Sequence, residues 1–285
     1  DGSVDGTTEI CQEFQELYPH LIKLTVYERT LERSGFSGGP GRYNLMHTLD
    51  KANGKYIAIC EGDDYWTDNS KLQQQIDFLE NNSDYTLCFH PVSLDKGRGL
   101  EKDNLIIIPK SESGLPELAT GNYIHTPSVV YRNVFPIRFP SYFYTSPVGD
   151  YILHLYAAER GKIKCLESVM AAYRIHDASY WSSKNHLDRL SLWFDVIWPL
   201  VDVYSYNSEV SELFKSQVFN VGLELIREYA LHRNKTSELQ KVISTLTQVD
   251  SMKVAKSIIE SDASSSVRLK IAILSADLRG YACSE

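Results

Sequence analysis

Apolar positions along the 285-residue chain fall into two regimes. In the first 175 residues, helical spacing alternates with short apolar runs. Ile10, Phe14 and Leu17 predict a helix over residues 7–17, with Thr7 or Thr8 available as its cap. Residues 21–27 read as a strand. Leu45, Met46 and Leu49 share one face of a predicted helix over 42–52, which Asn53-Gly54 closes. The run 55–60 has the unbroken apolar character of a strand buried on both faces. A helix over 69–81 follows, with Leu72, Gln75, Ile76 and Leu79 on its inner side. Further strands are predicted over 85–90, 127–131, 162–166 and 169–175, and a helix over 148–160 that Gly161 ends. This alternation predicts a layered α/β domain with a mostly parallel sheet flanked by helices. From about Lys184 onward the spacing is almost purely helical, over 187–204, 208–232, 236–247, 252–259 and 265–277. The prediction there is an all-helical C-terminal appendage whose amphipathic faces are packing surface.

Composition narrows the function classes. With 43% apolar residues and 23% charged ones, the chain has the makings of a sizeable core rather than a disordered tract. Twenty-nine Lys and Arg against 37 Asp and Glu leave a net charge of −8, which speaks against a face that tracks nucleic-acid phosphates. No apolar run reaches the roughly 18–20 residues of a membrane span, and the best stretch, 191–204, is broken by Asp195, Pro199 and Asp202. The opening residues are polar and acidic, unlike a secretory leader. The five cysteines are odd in number and form no C-x-x-C. Cys11, Cys60, Cys88 and Cys165 lie in apolar runs and Cys283 in the tail, so buried, reduced thiols in a cytoplasmic protein are expected.

Three carboxylates within four residues, Glu61-Gly62-Asp63-Asp64, stand at the C-terminal end of a predicted buried strand. Ligand crevices of open α/β sheets lie outside those strand ends. Packing three acids together costs repulsion and desolvation unless a cation joins them. A hard divalent ion, Mn²⁺ or Mg²⁺, suits such oxygen ligands together with substrate phosphates. The plainer alternative is a solvated turn capping the next helix, a task that Asp68 and Asn69 already fill. Arg42-Tyr43-Asn44 follows Gly38-Gly39-Pro40-Gly41, a glycine-rich approach to a helix start that can receive an anion or serve only as a connection. Asp150 opens an apolar helix after Gly149, where an acid is either a cap or a reactive group. Tyr173-Arg174-Ile175-His176 ends a strand on a histidine, which is either structural or a ligand.

Taken in order, these segments resemble the family 2 glycosyltransferases of the GT-A fold, a Rossmann-like architecture, over roughly residues 1–180. Asp1-Gly2-Ser3 with Asp5-Gly6-Thr7 is similar to that family's D-D-G-S-x-D-G-T segment, here without its first Asp. Arg42 and Asn44 match its arginine–asparagine pair, and Ala52-Asn-Gly-Lys-Tyr-Ile matches A-x-G-x-Y-I. Glu61-Gly-Asp63-Asp64 occupies the D-x-D-D position with Glu for the commoner Asp. Gly149-Asp150 matches the segment carrying the acceptor base, and Tyr173-Arg-Ile-His176 the closing Y-R-x-H. The resemblance implies that Asp1 accepts a hydrogen bond from the donor's base, commonly uracil, and that Arg42 contacts base or phosphate. It implies a metal on Asp63, with Glu61 and His176 assisting, Asp64 beside the donor sugar, and Asp150 as catalytic base.

Two departures from the family stand out. The strand and helix ahead of Asp1 are missing from this sequence, so the expected organisation is a GT-A domain over 1–182 without its first strand and helix, then a helical region over 183–285. The Q-x-x-R-W motif of processive synthases is also missing, since Arg189-Leu-Ser-Leu-Trp193 lacks its Gln and spacing. The expected activity is inverting, metal-dependent transfer from a nucleotide-sugar, UDP-linked by the resemblance, to a saccharide or lipid-linked acceptor. Bacterial surface-polysaccharide synthesis is its expected setting, in the cytoplasm or at the inner face of the membrane. The competing expectations are a sugar nucleotidyltransferase and a non-catalytic module of the same fold.

Overall fold

The computed structural model describes residues 3–26, 39–104, 106–136, 139–231 and 236–260. Helix α1 (Thr7–Leu17) starts where Asp5 Oδ1 accepts from the Thr7 amide at 3.2 Å and from its hydroxyl at 2.7 Å. Asp5 thus serves the start of the helix in place of the expected threonine cap, and Gly6 takes the left-handed turn there with φ 86°. The predicted inner face of α1 is exposed, with Phe14 at 52% and Leu17 at 68%. Residues 22–26 join no ladder, so the strand expected over 21–27 is not formed in its described part.

Helix α2 (Gly39–Lys51) leads into β1 (Tyr56–Ala58), where of the three residues only Ile57 is buried. The expectation of burial on both faces fails because, among the described residues, β1 is an edge strand hydrogen-bonded only to β7 (Val130–Arg132). Cys60, just beyond it, is accordingly exposed rather than buried. Sheet order is β1-β7-β3-β8-β6, with β3 spanning Tyr85–Phe89, β8 Lys162–Cys165 and β6 Glu112–Ser113. Strands β1, β3 and β8 run one way, whereas β7 and β6 run against them. The sheet is therefore mixed instead of mostly parallel.

A second, four-stranded sheet has order β2-β9-β4-β5. It comprises β2 (Tyr65–Trp66), β9 (Ala171–Arg174), β4 (Ser93–Asp95) and β5 (Leu100–Lys102). Since β1 belongs to one sheet and β2 to the other, the acidic loop between them spans the junction. The antiparallel register of β2 with β9, Tyr65 opposite Ala172, brings that loop alongside residues 173–176.

Helix α3 (Lys71–Asn81) buries Lys71, Gln75 and Leu79 against the main sheet. Lys71 is only 1% exposed, and burial pushes its ammonium down to about 8. A lysine whose folded value lies below its unfolded one is a stability cost below the folded value, and the cost fades as pH rises toward the unfolded one. Relative to Lys71→Met, wild-type unfolding free energy should rise by on the order of 3 kcal/mol between about pH 7 and pH 10.5, read from urea unfolding of both proteins. A flat difference would mean that the ammonium is hydrated.

After β6 come α4 (Leu115–Leu118), a 3₁₀ turn (Thr126–Ser128), α5 (Ser141–Thr145) and α6 (Asp150–Ala158). The C-terminal region is helical: α7 (His186–Ile197), α8 (Leu200–Val203), α9 (Ser208–Leu231) and α10 (Thr236–Glu260). Asn185 caps α7 by accepting from the Asp188 amide at 2.9 Å. Non-helical angles at Asp250 (φ −163°, ψ 95°) kink α10 where the apolar spacing breaks between 247 and 252. Gly222 lets α9 and α10 approach, since a Cβ there would lie 2.8 Å from Leu246. The helix expected over 265–277 and Cys283 lie outside the described residues.

One apolar core runs from Leu87, Tyr131 and Ile163 of the sheet through Ile152 and Leu155 of α6 to Phe194, Phe214 and Leu246 of the appendage. Tyr151 and Trp193 rings meet across that seam at 4.9 Å. No helix among the described residues is long and apolar enough to cross a membrane.

Candidate active site

Glu61, Asp63 and Asp64 each offer a carboxylate oxygen within 4.8 Å of the others. The Asp64 side chain is pinned by the sheet junction: its Oδ1 accepts from the Arg174 amide at 2.8 Å. Its Oδ2 is buried with no hydrogen-bond partner. Asp63 Oδ2 lies 3.1 Å from His176 Nε2, so the end of β9 delivers the expected histidine to the acidic loop.

The electrostatics follow from crowding like charges. Glu61 keeps solvent access on one side, yet desolvation, then Asp150, Asp64 and Asp63, push its carboxyl up to about 8. Asp64 rises to about 6, chiefly by desolvation, with the Arg174 amide acting the other way. A carboxyl raised in this manner favours a proton or a cation. A three-carboxylate cluster with one buried oxygen short of a partner fits a hard divalent ion, whose charge would cancel the repulsion.

Asp150 is in the first turn of α6, and its charge acts on Glu61 across the cleft. Its Oδ1 accepts from the Tyr151 amide at 2.7 Å, and its Oδ2 from the Thr126 hydroxyl at 3.1 Å. The same hydroxyl neighbours Glu61 and moderates its upward shift. Thr126 therefore stands between the helix-borne acid and the loop-borne acids. Tyr173, from the same strand end as His176, lies within electrostatic reach of Asp64, Glu61 and Asp150, and its phenol is pushed up to about 12, mainly by burial. The His125 ring lies tilted against that of Tyr173, centroids 4.7 Å apart, and His125 meets Asp103 Oδ2 at 2.9 Å.

Two donors of Arg42 are engaged within the chain. Its side chain is buried, 5% exposed, and donates to the carbonyls of Phe143 at 3.2 Å and Ser146 at 2.9 Å. Its guanidinium fills the space where a Cβ on Gly149 would sit, 2.3 Å away. Burial lowers its pKa and the nearby Asp150 opposes that. Two of its donors are thus committed to the loop that presents Asp150, because a buried guanidinium must satisfy its N–H groups locally. Asp1 lies outside the described residues, as does Gly38.

The structure brings Glu61, Asp63, Asp64, Asp150 and His176 into one neighbourhood, with Arg42 behind it. Sequence reading names Tyr173 only within the closing Y-R-x-H motif and does not single out Thr126 or the Arg174 amide. The strand expected over 127–131 starts only at Val130, because Thr126–Ser128 forms a 3₁₀ turn, and a main-chain amide carries no sequence signal.

Residues 1–136 match the model of glycosyl transferase family 2. An uncharacterised protein of Mycobacterium tuberculosis is 33% identical over 198 residues, or 68% of this chain and 53% of its own. The chain thus spans about half of that relative's length. An uncharacterised glycosyltransferase of a Nostoc species is 28% identical over 207 residues, covering 67% of this chain and 57% of its own. A dTDP-rhamnosyl transferase of Shigella flexneri is 35% identical over 85 residues, 29% of this chain and 27% of its own.

Proposed function

Residues 1–136 belong to glycosyl transferase family 2, which classes that part of the chain among the glycosyltransferase enzymes, and from this premise we propose an inverting, metal-dependent sugar transfer. The donor is a nucleotide-diphospho-sugar and the acceptor a saccharide or lipid-linked hydroxyl, in the synthesis of a bacterial surface glycan. The working unit is the region over 1–182, and the described helices of the region 183–285 brace it. The observation that carries this reading is the juxtaposition of Asp150 with the cluster Glu61, Asp63 and Asp64 across Thr126.

Each residue has a physical task. Asp63, Glu61 and His176 would hold the divalent ion, Mn²⁺ or Mg²⁺, and Asp64 would lie beside the donor sugar. When bound, the ion neutralises the charge that develops on the departing nucleoside diphosphate. Asp150 takes the proton of the attacking hydroxyl, which needs a base within hydrogen-bond reach. Attack from the face opposite the leaving group inverts the anomeric carbon. Arg42 holds the loop 143–149 in place of reaching the nucleotide, and Asp1 keeps its expected contact to the donor's base.

A screen of UDP-hexoses, UDP-N-acetylhexosamines and dTDP-rhamnose tests the proposal, the last chosen for the likeness to the Shigella protein. Release of nucleoside diphosphate with Mn²⁺, abolished by EDTA, is the expected result. No metal-dependent release from any donor, or nucleoside triphosphate formed from added pyrophosphate, would contradict it.

A further inference from the structure

Several polar side chains near the cleft have no task in the transfer just described. Gln75 is fully buried and Lys71 nearly so. The Gln75 Oε1 accepts from the Lys71 ammonium at 2.8 Å, while its Nε2 donates to the carbonyls of Cys88 at 3.1 Å and Ser128 at 2.8 Å. An ammonium on one side and two carbonyls on the other fix which way the carboxamide points. Lys71 also lies 4.6 Å over the ring of Trp66, whose indole N–H donates to the carbonyl of Pro127 at 3.1 Å.

These contacts converge on one short turn. Every carbonyl from His125 to Ser128 is engaged. The His125 carbonyl accepts from the Ser128 amide at 3.0 Å and its hydroxyl at 2.7 Å, and that of Thr126 from the Val129 amide at 3.4 Å. Those of Pro127 and Ser128 are held by Trp66 and Gln75. A turn fixed at four successive peptides gives the Thr126 hydroxyl a defined place, from which it donates to Asp150 Oδ2 at 3.1 Å.

We infer that Thr126, whose hydroxyl donates to Asp150 Oδ2 with Glu61 also beside it, is a positioning residue for Asp150, and that Trp66, Lys71 and Gln75 form the brace that aims it. The inference rests on the reading of Asp150 as the acceptor base. Carboxylate oxygens accept about two hydrogen bonds each. With Oδ1 on the Tyr151 amide and Oδ2 on Thr126, the carboxylate is held in one rotamer and Oδ2 keeps capacity for the acceptor hydroxyl. The hydroxyl donates a proton into that bond but transfers none. Placement of this kind is worth having, because a displacement of about 1 Å can cost on the order of 100-fold in rate.

Thr126→Val removes the hydroxyl at constant shape, and Thr126→Ser keeps it. In crystals of the two variants, the Asp150 carboxylate should leave its position in the first and hold it in the second. With the UDP-hexose or dTDP-rhamnose that the wild type turns over, Thr126→Val should lower kcat about 30- to 100-fold at unchanged donor KM, and Thr126→Ser should stay within about threefold. Thr126→Ala, a second hydroxyl-free variant that inserts no new methyl, should share the kcat loss. An unmoved Asp150 in Thr126→Val, or Thr126→Ser as impaired as Thr126→Val, would overturn the inference. If Asp150→Asn itself kept full turnover, the failure would lie with the base assignment, and the crystallographic contrast would still judge Thr126.

Discussion

Asp150→Asn is expected to lower transfer by about 1,000-fold while the protein still binds UDP in the presence of Mn²⁺. Asparagine keeps the size of the side chain; its Oδ1 can still accept from the Tyr151 amide while its Nδ2 donates to the Thr126 hydroxyl oxygen, so the start of α6 should stand. What it loses is basicity. An acceptor hydroxyl then carries its proton into the transition state, and general-base assistance is typically worth 10²- to 10⁴-fold. The effect should fall on kcat, since the residue is asked to act on the acceptor proton and not on the donor diphosphate. Initial rates of nucleoside diphosphate release, set beside calorimetric UDP binding, separate the two. Unchanged turnover would assign the base elsewhere, and lost UDP binding would mean that the substitution has collapsed the cleft.

The second large effect is expected at the acidic loop. Asp63→Asn should lose metal-supported turnover by 100-fold or more, since charge stabilisation by a bound ion is worth several kcal/mol. The same substitution should leave the metal-free protein at least as stable as wild type. Asp63 is one of the charges that push Glu61 and Asp64 above the ordinary carboxylate range, so removing it lets both ionise more readily. A raised carboxyl value means that the folded state binds protons that the unfolded state has released near neutrality. The metal-free cluster therefore costs stability as pH rises through the ordinary carboxylate range, up to the folded value of about 8 for Glu61. Relief of that cost should show as an unchanged or higher Tm in EDTA at neutral pH. A protein that lost both turnover and Tm would point to a fold defect.

How much of this was legible in the sequence depends on element length. Helices such as Thr7–Leu17 and Lys71–Asn81 repeat their apolar spacing over three turns, enough to locate them. Strands β2 and β6 are two residues long, and β4 and β5 three, too short for alternation to register. The second sheet was therefore invisible apart from β9, and with it the reason that His176 meets Asp63. An apolar run also does not tell how many neighbours a strand will have, which is why Cys60 read as buried and is exposed at an edge. The acidic loop was legible because three clustered acids are costly wherever they stand. Arg42 was legible as important, but its two carbonyl contacts were not, since a guanidinium serves a phosphate or a carbonyl with the same kind of donor. Thr126 was not legible at all, because its meaning lies in a turn pinned by Trp66 and Gln75, more than 50 residues away in the chain.

The central claim is that Asp63, helped by Glu61 and His176, would hold a divalent ion against a nucleoside diphosphate, with Asp64 beside the donor sugar. Crystals grown with UDP and MnCl₂ test it most directly, with diffraction collected at the manganese edge for wild type and Asp63→Asn. The account predicts an anomalous peak touching Asp63 in the wild type, next to the diphosphate, and its loss in the variant. Density for UDP with no anomalous peak at those carboxylates, or a peak that persists undiminished in Asp63→Asn, would contradict it.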